Sequence, residues 1–379
     1  MVHRLRSRLL LSMAAGASVL VLAASPKQAA AVATITNNEA NAIRAASAAA
    51  PYWTPGRMRS AKPMTLPNAP GLGSIVQTPA QASAFSSMAS SVSSEPGIPV
   101  QPGSQAMPDV LLHQAMPLMS ASNAVAPAAA NASRQEFTNS RVVPMNVLKG
   151  MYPWQATGKL FFRTDTGQDS VCSGAIVQHR VIATAGHCLY NPVTRKFFSN
   201  FMFVPGHDNG SSPCGGYSWE YAAVTSSWQN GNGVLPNRAD FGVLVAANKP
   251  CRGKGRIGAS LGWLGWRTNA VLNKHVTILG YPCNLDSCQV LQQTNTLVNR
   301  SRGPAVEAGS YHEGGASGGP WVLDWGIPSS GQPANSLQIV GITSYQPGNR
   351  NQDYLGSSIL NNEWVQIWNL ACARAGACR

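Results

Sequence analysis

Short apolar or alternating runs recur about every 10–20 residues from Val142 to the C-terminus. Gly, Pro, Asn and Asp separate them. Many short strands at this spacing predict an all-β protein, either a sandwich or a pair of barrels. The runs lie at 158–163, 174–186, 201–206, 221–228, 241–247, 275–282, 290–298, 320–325 and 337–345.

One helix is predicted at the C-terminal end. Trp364, Ile367, Trp368 and Ala371 follow one another at i, i+3, i+4 and i+7, which places them on one helix face. An asparagine at 361 or 362 can cap the first turn.

Residues 32–141 differ from the rest of the chain in composition and lack a regular hydrophobic pattern. Proline and serine punctuate them, charge is low, and neither a helical nor a strand period is sustained. Such a segment buries too little apolar surface to offset its ordering entropy. We expect a propeptide or a disordered spacer, since a small β-domain would need denser β-branched runs.

The N-terminus predicts the compartment. Arg4, Arg6 and Arg8 precede a mostly apolar run, Leu9–Ala24, and small residues follow up to Ala31. The run is shorter than the roughly 20 residues that span a bilayer. A cleaved secretory signal peptide is therefore favoured over a membrane anchor, and no later segment is apolar enough to be transmembrane. We expect a secreted protein, extracellular or periplasmic.

Charge and cysteine content argue against nucleic acid and metal ions as binding partners. The net charge is +13, but ten of the 28 Lys and Arg residues precede Val142. The densest basic cluster, 249–256, has no interleaved aromatics, so a solvated loop is favoured over a nucleic-acid surface. All eight cysteines lie between Cys172 and Cys378. In a secreted chain they predict disulfides, and their spacing fits no zinc site. We expect no metal and no cofactor.

The stretch "EGGASGGPWV" presents Ser317 within Gly-x-Ser-x-Gly. An α/β-hydrolase elbow requires a histidine after the serine, and the last histidine here is His312. A triad must therefore use an upstream base. Taken alone, the serine could equally lie in a surface turn without a catalytic role, and a histidine or an aspartate could be an ordinary structural residue.

His187 ends an apolar strand beside Cys188, for which Cys172 is the natural disulfide partner across a hairpin. Asp240 opens the apolar run 241–247, where a buried carboxylate needs a partner. The other aspartates between His187 and Ser317 lie in turn-like sequence. The order histidine, aspartate, serine makes these residues the candidate triad.

"TAGHC", "DFGVLV" and "GGASGGP" resemble the three signatures of the trypsin/chymotrypsin-like serine peptidases. "YPWQATGKLFF", "FVPGHDNGSSPCGGYSW" and "ILGYPCN" resemble the bacterial glutamyl endopeptidase branch. The resemblance implies two six-stranded antiparallel β-barrels and a C-terminal helix, preceded by a disordered N-terminal region. Combined with the N-terminal pattern and the composition described above, the expected organisation is a signal peptide at 1–31, a propeptide or spacer at 32–141 and a peptidase domain at 142–379.

The resemblance also implies roles. Ser317 attacks an acyl carbonyl, His187 takes its proton, and Asp240 orients the imidazole. Backbone N–H groups of Gly315 and Ser317 form the oxyanion hole. The implied substrate-binding residues are Tyr311, His312, Thr343, Ser344 and Tyr345.

The expected protein is a monomeric secreted serine endopeptidase acting on protein or peptide substrates. We expect a precursor, with a cut after Arg141, and no stable membrane association once the signal is removed. The alternative is a catalytically silent trypsin-fold binding protein.

Several positions depart from the resemblance. Ala316 replaces the aspartate that captures a new N-terminus, and Tyr311 replaces the acid that selects Lys or Arg. Thr343 replaces the histidine of glutamate-selective relatives, for which His312 is a candidate substitute. Residue preference therefore stays open. The other cysteines pair only loosely by sequence, as 283 with 288, 372 with 378, and 214 with 251.

Overall fold

The computed structural model describes residues 32–36, 52–65, 68–69, 91–99, 137–143, 148–251, 255–326, 337–347 and 353–379. The predicted signal peptide, much of the predicted propeptide and the centre of the basic cluster lie outside these residues. The described residues belong to one compact unit, Val32–Arg379.

The first barrel contains six antiparallel strands. The apolar runs at 158–163, 174–186, 201–206, 221–228 and 241–247 supply these strands. They are β6 (Thr157–Arg163), β7 (Asp169–Ile176), β8 (Val181–Thr184), β11 (Ser199–Pro205), β12 (Trp219–Val224) and β13 (Gly242–Ala246), with the small hairpin β9 (Tyr190–Asn191) and β10 (Lys196–Phe197) between them. The six strands pair in the order β12-β13-β8-β7-β6-β11. A bridge between Phe203 and Tyr217 returns the last strand toward the first.

The second barrel has six strands, β15 (Lys274–Gly280), β16 (Gln292–Val298), β18 (Ala305–Gly309), β19 (Pro320–Leu323), β20 (Gln338–Pro347) and β21 (Tyr354–Ile359). They pair in the order β18-β21-β20-β19-β15-β16. The short strands β14 (Gly265–Arg267) and β17 (Arg300–Arg302) attach to it. The two six-stranded antiparallel barrels predicted from the sequence are confirmed.

Among the six main strands of the second barrel, sequence patterning missed two, β18 and β21. Each carries polar residues that are buried by tertiary contacts, which hides an apolar period. Glu307 in β18 is 2% exposed because Arg300 and Arg302 neutralise it from the neighbouring β17, at 3.5 and 3.1 Å. Ser357 and Ser358 in β21 are fully buried and hydrogen-bonded.

The predicted C-terminal helix is also confirmed. It spans Asn362–Cys372, and the side chain of Asn361 accepts the N–H of Glu363 as its cap. Trp364, Ile367 and Ala371 are buried, while Trp368 is half-buried. In chain order the α-helices among the described residues are α1 (Pro55–Ser60), α2 (Ser226–Gln229), α3 (Ile257–Leu261) and α4 (Asn362–Cys372). None of the described helices combines the length and apolar character needed to cross a membrane.

Short stretches of the region that we expected to be disordered are ordered against the barrels. They form β1 (Ala33–Thr36), β2 (Lys62–Pro63), β3 (Asn68–Ala69), β4 (Ser93–Ser94) and β5 (Phe137–Arg141). β1 and β2 extend the first barrel at β12 and β7, and β3, β4 and β5 pair with β20, β14 and β16. Composition averaged over 110 residues obscured these brief segments, whose partners lie far away in the chain.

Candidate active site

His187 and Asp240 meet because their strands are neighbours. β8 and β13 pair with Thr184 opposite Gly242, so the residues just beyond β8 lie beside those just before β13. Asp240 Oδ1 accepts the backbone N–H of His187 at 2.8 Å, and Oδ2 lies 2.7 Å from Nδ1 of the ring. His187 is 2% exposed and Asp240 is fully buried. This contact fixes the position of the imidazole and favours the tautomer with its proton on Nδ1.

Asp240 has a further donor from the second barrel. The hydroxyl of Ser344 donates to Oδ2 at 2.6 Å. The backbone N–H of Asp240 in turn donates to Ser358 Oγ at 3.1 Å. Three donors therefore converge on one buried carboxylate and hold it in place: the backbone N–H and Nδ1 of His187 and the hydroxyl of Ser344.

The same contact explains why position 186 is a glycine. A Cβ there would lie 2.8 Å from the Trp228 ring and 3.0 Å from Asp240 Oδ1. The Trp228 ring packs edge-on against His187 with 6.0 Å between centroids, and its Nε1 donates to Tyr190 O at 3.0 Å. Glycine therefore allows tryptophan to pack close to the histidine.

The Ser317 loop is held against the end of β8 and against β20. Gly318 N–H donates to Thr343 O at 2.8 Å, and Thr343 N–H donates to Gly319 O at 2.9 Å. A Cβ on Gly318, where φ is +80°, would lie 2.1 Å from Thr184 Oγ1. Because β8 leads directly into His187, this packing brings the Ser317 loop next to the histidine.

Ser173 links the loop to both barrels, and sequence reasoning missed it. Its hydroxyl donates to Gly315 O at 2.9 Å and accepts the N–H of Tyr281 at 2.9 Å. Its backbone N–H donates to Ser317 O at 2.7 Å. Ser173 thereby holds the carbonyls on both sides of Ala316, within the peptide run that we expect to form the oxyanion hole. Only its place beside Cys172 could have drawn attention to it.

Gly315 itself adopts a conformation that requires glycine. Its φ is +96°, and a Cβ would lie 2.6 Å from Tyr281 O and 2.8 Å from Cys283 Sγ. Any side chain would therefore displace this turn, which orients the Gly315 N–H.

Cys172 and Cys188 form a disulfide that ties β7 to the short 3-10 turn of His187. The other pairs are Cys214–Cys251, Cys283–Cys288 and Cys372–Cys378. Potential ligand atoms of Cys172, His187 and Cys188 lie within 4.8 Å of one another. This donor set does not fit a metal, because both sulfurs are oxidised and Nδ1 is engaged by Asp240.

The proposed pocket residues differ in accessibility. Tyr311 is 52% exposed and packs edge-on against Phe137 of β5, with 4.7 Å between ring centroids. His312 is fully buried, with Nε2 at 3.4 Å from Thr294 Oγ1. Burial lowers the pKa of His312 to about 3, so its ring is neutral. A neutral, buried imidazole offers no positive charge to a glutamate side chain.

The three proposed pocket residues on β20 are Thr343, Ser344 and Tyr345. All three are buried, and their side chains form hydrogen bonds within the protein. The Thr343 hydroxyl accepts Trp321 Nε1 at 3.0 Å, and Ser344 donates to Asp240. Tyr345 OH donates to Glu307 at 3.3 Å, and burial raises the pKa of this phenol. Their side chains thus support the structure, which leaves the backbone of this strand as the part available to a peptide.

Ser317 Oγ and His187 Nε2 are the two atoms between which we expect a proton to pass, if these residues act as the predicted triad. Both are buried, and neither has a hydrogen-bond partner among the described residues. Ser317 is fully buried in the full-length chain.

Comparison with known proteins agrees with this architecture. The family model described as Trypsin matches residues 145–362. A protein named "Extracellular metalloprotease" from Bacillus subtilis is 24% identical over 57% of this chain and 64% of its own length. A "Glutamyl endopeptidase" from Bacillus licheniformis is 29% identical over 29% of this chain and 32% of its own length. The chain thus matches less than two thirds of either relative.

A solved structure supports the fold. The crystal structure of "Protease Anisep from Arthrobacter Nicotinovorans" superposes with a TM-score of 0.51 at 24% identity, over 62% of this chain and all of that one. The family model covers more than half of the sequence, including His187, Asp240 and Ser317. The chain therefore belongs to the trypsin family, as its three signatures predicted, with a bacterial glutamyl endopeptidase among its relatives.

Proposed function

We propose that this protein is a serine endopeptidase that hydrolyses peptide bonds through His187, Asp240 and Ser317. The observation that carries the proposal is the buried contact between His187 Nδ1 and Asp240 Oδ2 at 2.7 Å, beside the Ser317 loop. A histidine fixed in this tautomer leaves Nε2 free to accept the proton of a serine hydroxyl.

The proposed reaction begins when Ser317 Oγ attacks the substrate carbonyl carbon and His187 Nε2 takes the hydroxyl proton. The developing oxyanion receives the N–H groups of Gly315 and Ser317, and Asp240 stabilises the imidazolium. His187 then returns its proton to the leaving amine, which gives an acyl-enzyme on Ser317. Water hydrolyses this ester in a second step that uses the same base.

We further propose a secreted precursor with the domain boundaries given above. The four disulfides support an oxidising compartment, and the Bacillus subtilis relative is named as extracellular. The expected cut after Arg141 falls at the end of β5, where Arg141 pairs with Asp286 and Val142 is 2% exposed. Cleavage at this bond requires β5 to separate locally from β16. N-terminal sequencing of the active secreted protein should begin at Val142; a start between residues 25 and 32 would contradict processing at this bond.

A fluorophosphonate probe tests the enzymatic proposal, because it reacts only with an activated serine. The processed wild-type protein should be labelled, and the Ser317→Ala variant should not. A folded, processed wild type that stays unlabelled would contradict the proposal and favour the silent binding protein. Cleavage profiling on a peptide library would then define the residue preference.

A further inference from the structure

Part of the predicted propeptide is anchored to the first barrel by buried aromatic contacts. Trp53 is 4% exposed; its Nε1 donates to Asn200 O at 2.6 Å, and its ring lies 5.4 Å from that of Phe161. The hydroxyl of Tyr52 donates to Asp169 at 2.5 Å. A tryptophan buried to this extent with its N–H satisfied is a typical anchor of a specific interface.

A charged contact reinforces the anchor through helix α1. The guanidinium of Arg57 lies 4.1 Å from the centre of the Tyr52 ring and 3.8 Å from Asp169. Thr54 caps the helix by accepting the N–H of Arg57. The stretch therefore has its own local structure as well as contacts with the barrel.

Beyond α1 the chain enters the candidate active site. β2 pairs in parallel with β7, and the Met64 N–H donates to Val171 O at 2.9 Å. The Met64 carbonyl then accepts the N–H of Gly315 at 3.3 Å. This N–H is one of the two donors that we assign to the oxyanion hole, so a carbonyl of the chain itself occupies a position that a substrate carbonyl would use.

Two further observations agree with an occupied cleft. The backbone of β3 pairs with Gln346–Pro347, directly after the stretch of β20 that we expect to pair with a substrate peptide. The reacting atoms of Ser317 and His187 are both buried in the full-length chain. Contacts on both sides of the cleft thus come from the region that precedes the barrels.

We propose that residues Tyr52–Thr65 are a built-in inhibitor of the peptidase, which closes the substrate cleft of the precursor until the N-terminal region is removed. This inference rests on the proposed function. The substrate cleft is thus occupied by a segment of the same chain. Trp53 anchors this segment to the first barrel, and the Met64 carbonyl contacts Gly315. Separation of the segment frees the Gly315 N–H and exposes the cleft.

The test measures how fast a fluorophosphonate labels Ser317 in full-length protein whose mass confirms that it is unprocessed. Wild type should label slowly. Trp53→Ala should label at least about tenfold faster, because the open state becomes a larger fraction of the molecules. Arg57→Ala, which removes only a partly exposed contact, should give a smaller increase and guards against misfolding of the tryptophan variant.

The matched control is Arg59→Ala, because this exposed arginine is on the same helix as Arg57. It should label like wild type. A synthetic peptide of residues 52–65 added to the Trp53→Ala protein should restore slow labelling, and the same peptide carrying Trp53→Ala should not.

Unprocessed wild type that labels as fast as processed protein would overturn the inference and leave the proposed function intact. A Trp53→Ala protein that the peptide fails to slow would do the same. If processed wild type is not labelled either, the proposed function fails and the inference fails with it.

Discussion

Asp240 holds His187 at two points, the backbone N–H and Nδ1, at 2.8 and 2.7 Å. Two contacts from one carboxylate fix both the position of the backbone turn and the plane of the ring. The arrangement stays rigid because Asp240 is buried and because the hydroxyl of Ser344, in the other barrel, donates a hydrogen bond to its carboxylate. The relative position of the two barrels therefore contributes to the orientation of the base.

Ser344→Ala should lower kcat by about tenfold with little change in KM. The variant removes one donor from a buried carboxylate, a loss that typically costs about 1.5–3 kcal/mol. Steady-state kinetics and the free energy of unfolding would be measured together. The control is Ser357→Ala, a buried serine of β21 that accepts the Ile342 N–H and does not contact Asp240. Ser357→Ala should reduce the free energy of unfolding without a matching loss of kcat. Equal losses of kcat in both variants would contradict the proposed role of Ser344 in supporting Asp240.

Ser173→Ala should lower kcat by about 10- to 100-fold while KM changes little, as expected when an oxyanion donor is misplaced. The missing hydroxyl no longer joins the Tyr281 N–H to the Gly315 carbonyl. Ser218→Ala is the control, since the buried hydroxyl of Ser218 has no hydrogen-bond partner among the residues described. A Ser173→Ala enzyme that loses stability but keeps its kcat would show that the hydroxyl serves folding alone.

Gly315→Ala should reduce kcat/KM by about 10²–10³, the effect of losing one oxyanion donor. The added methyl group would meet Tyr281 O and Cys283 Sγ at 2.6 and 2.8 Å. Gly303→Ala separates this clash from backbone strain, because Gly303 also has a positive φ, +57°, but has open space around it. The Gly303→Ala variant should keep a kcat/KM near that of wild type. A loss of kcat/KM as large as in Gly315→Ala would mean that backbone strain, and not the clash, explains the effect.

Lys159→Met should stabilise the protein most below pH 7. Lys159 is 1% exposed in β6, and burial lowers its pKa from 10.5 to about 7. Between these values the folded state has released the proton while the unfolded state still binds it. The wild-type free energy of unfolding therefore rises with pH across this window.

The benefit of Lys159→Met should consequently shrink from pH 7 toward pH 10.5. Denaturant titrations at several pH values would measure it. The control is Lys149→Met, because Lys149 pairs with Asp208 at 2.9 Å and the variant should destabilise slightly instead. A benefit of Lys159→Met that stays constant with pH would mean that Lys159 is not neutralised in the folded state.

The candidate triad residues could be picked out from the sequence because each stands at the end of a recognisable strand. His187 follows β8, Asp240 precedes β13, and both strands are apolar runs with clear boundaries. Ser317 lies in a glycine-rich turn directly before β19. Chain order then excluded the alternative hydrolase arrangement. Local sequence therefore predicted the strands, which are confirmed, and the candidate catalytic residues at their ends, which remain a prediction.

Ser173 and Ser344 could not be assigned in this way. Ser173 contacts a residue 142 positions away and Ser344 one 104 positions away, and no local pattern records such a pairing. Ser344 was expected to bind substrate, and the sequence did not indicate that its hydroxyl also donates to Asp240. His312 was a candidate for selecting glutamate, and only its complete burial reveals that the ring is neutral.

The sequence alone determined the all-β class, the C-terminal helix and the order histidine, aspartate, serine, because these follow from short-range periodicity and from residue types. The tertiary structure decided which donors surround Asp240 and what fixes Gly315. It also decided that Tyr52–Thr65 lies on the barrels, although its composition indicates disorder. Such a segment gains its order from one buried tryptophan and a few backbone hydrogen bonds to distant strands. These contacts exist only once the barrels have formed.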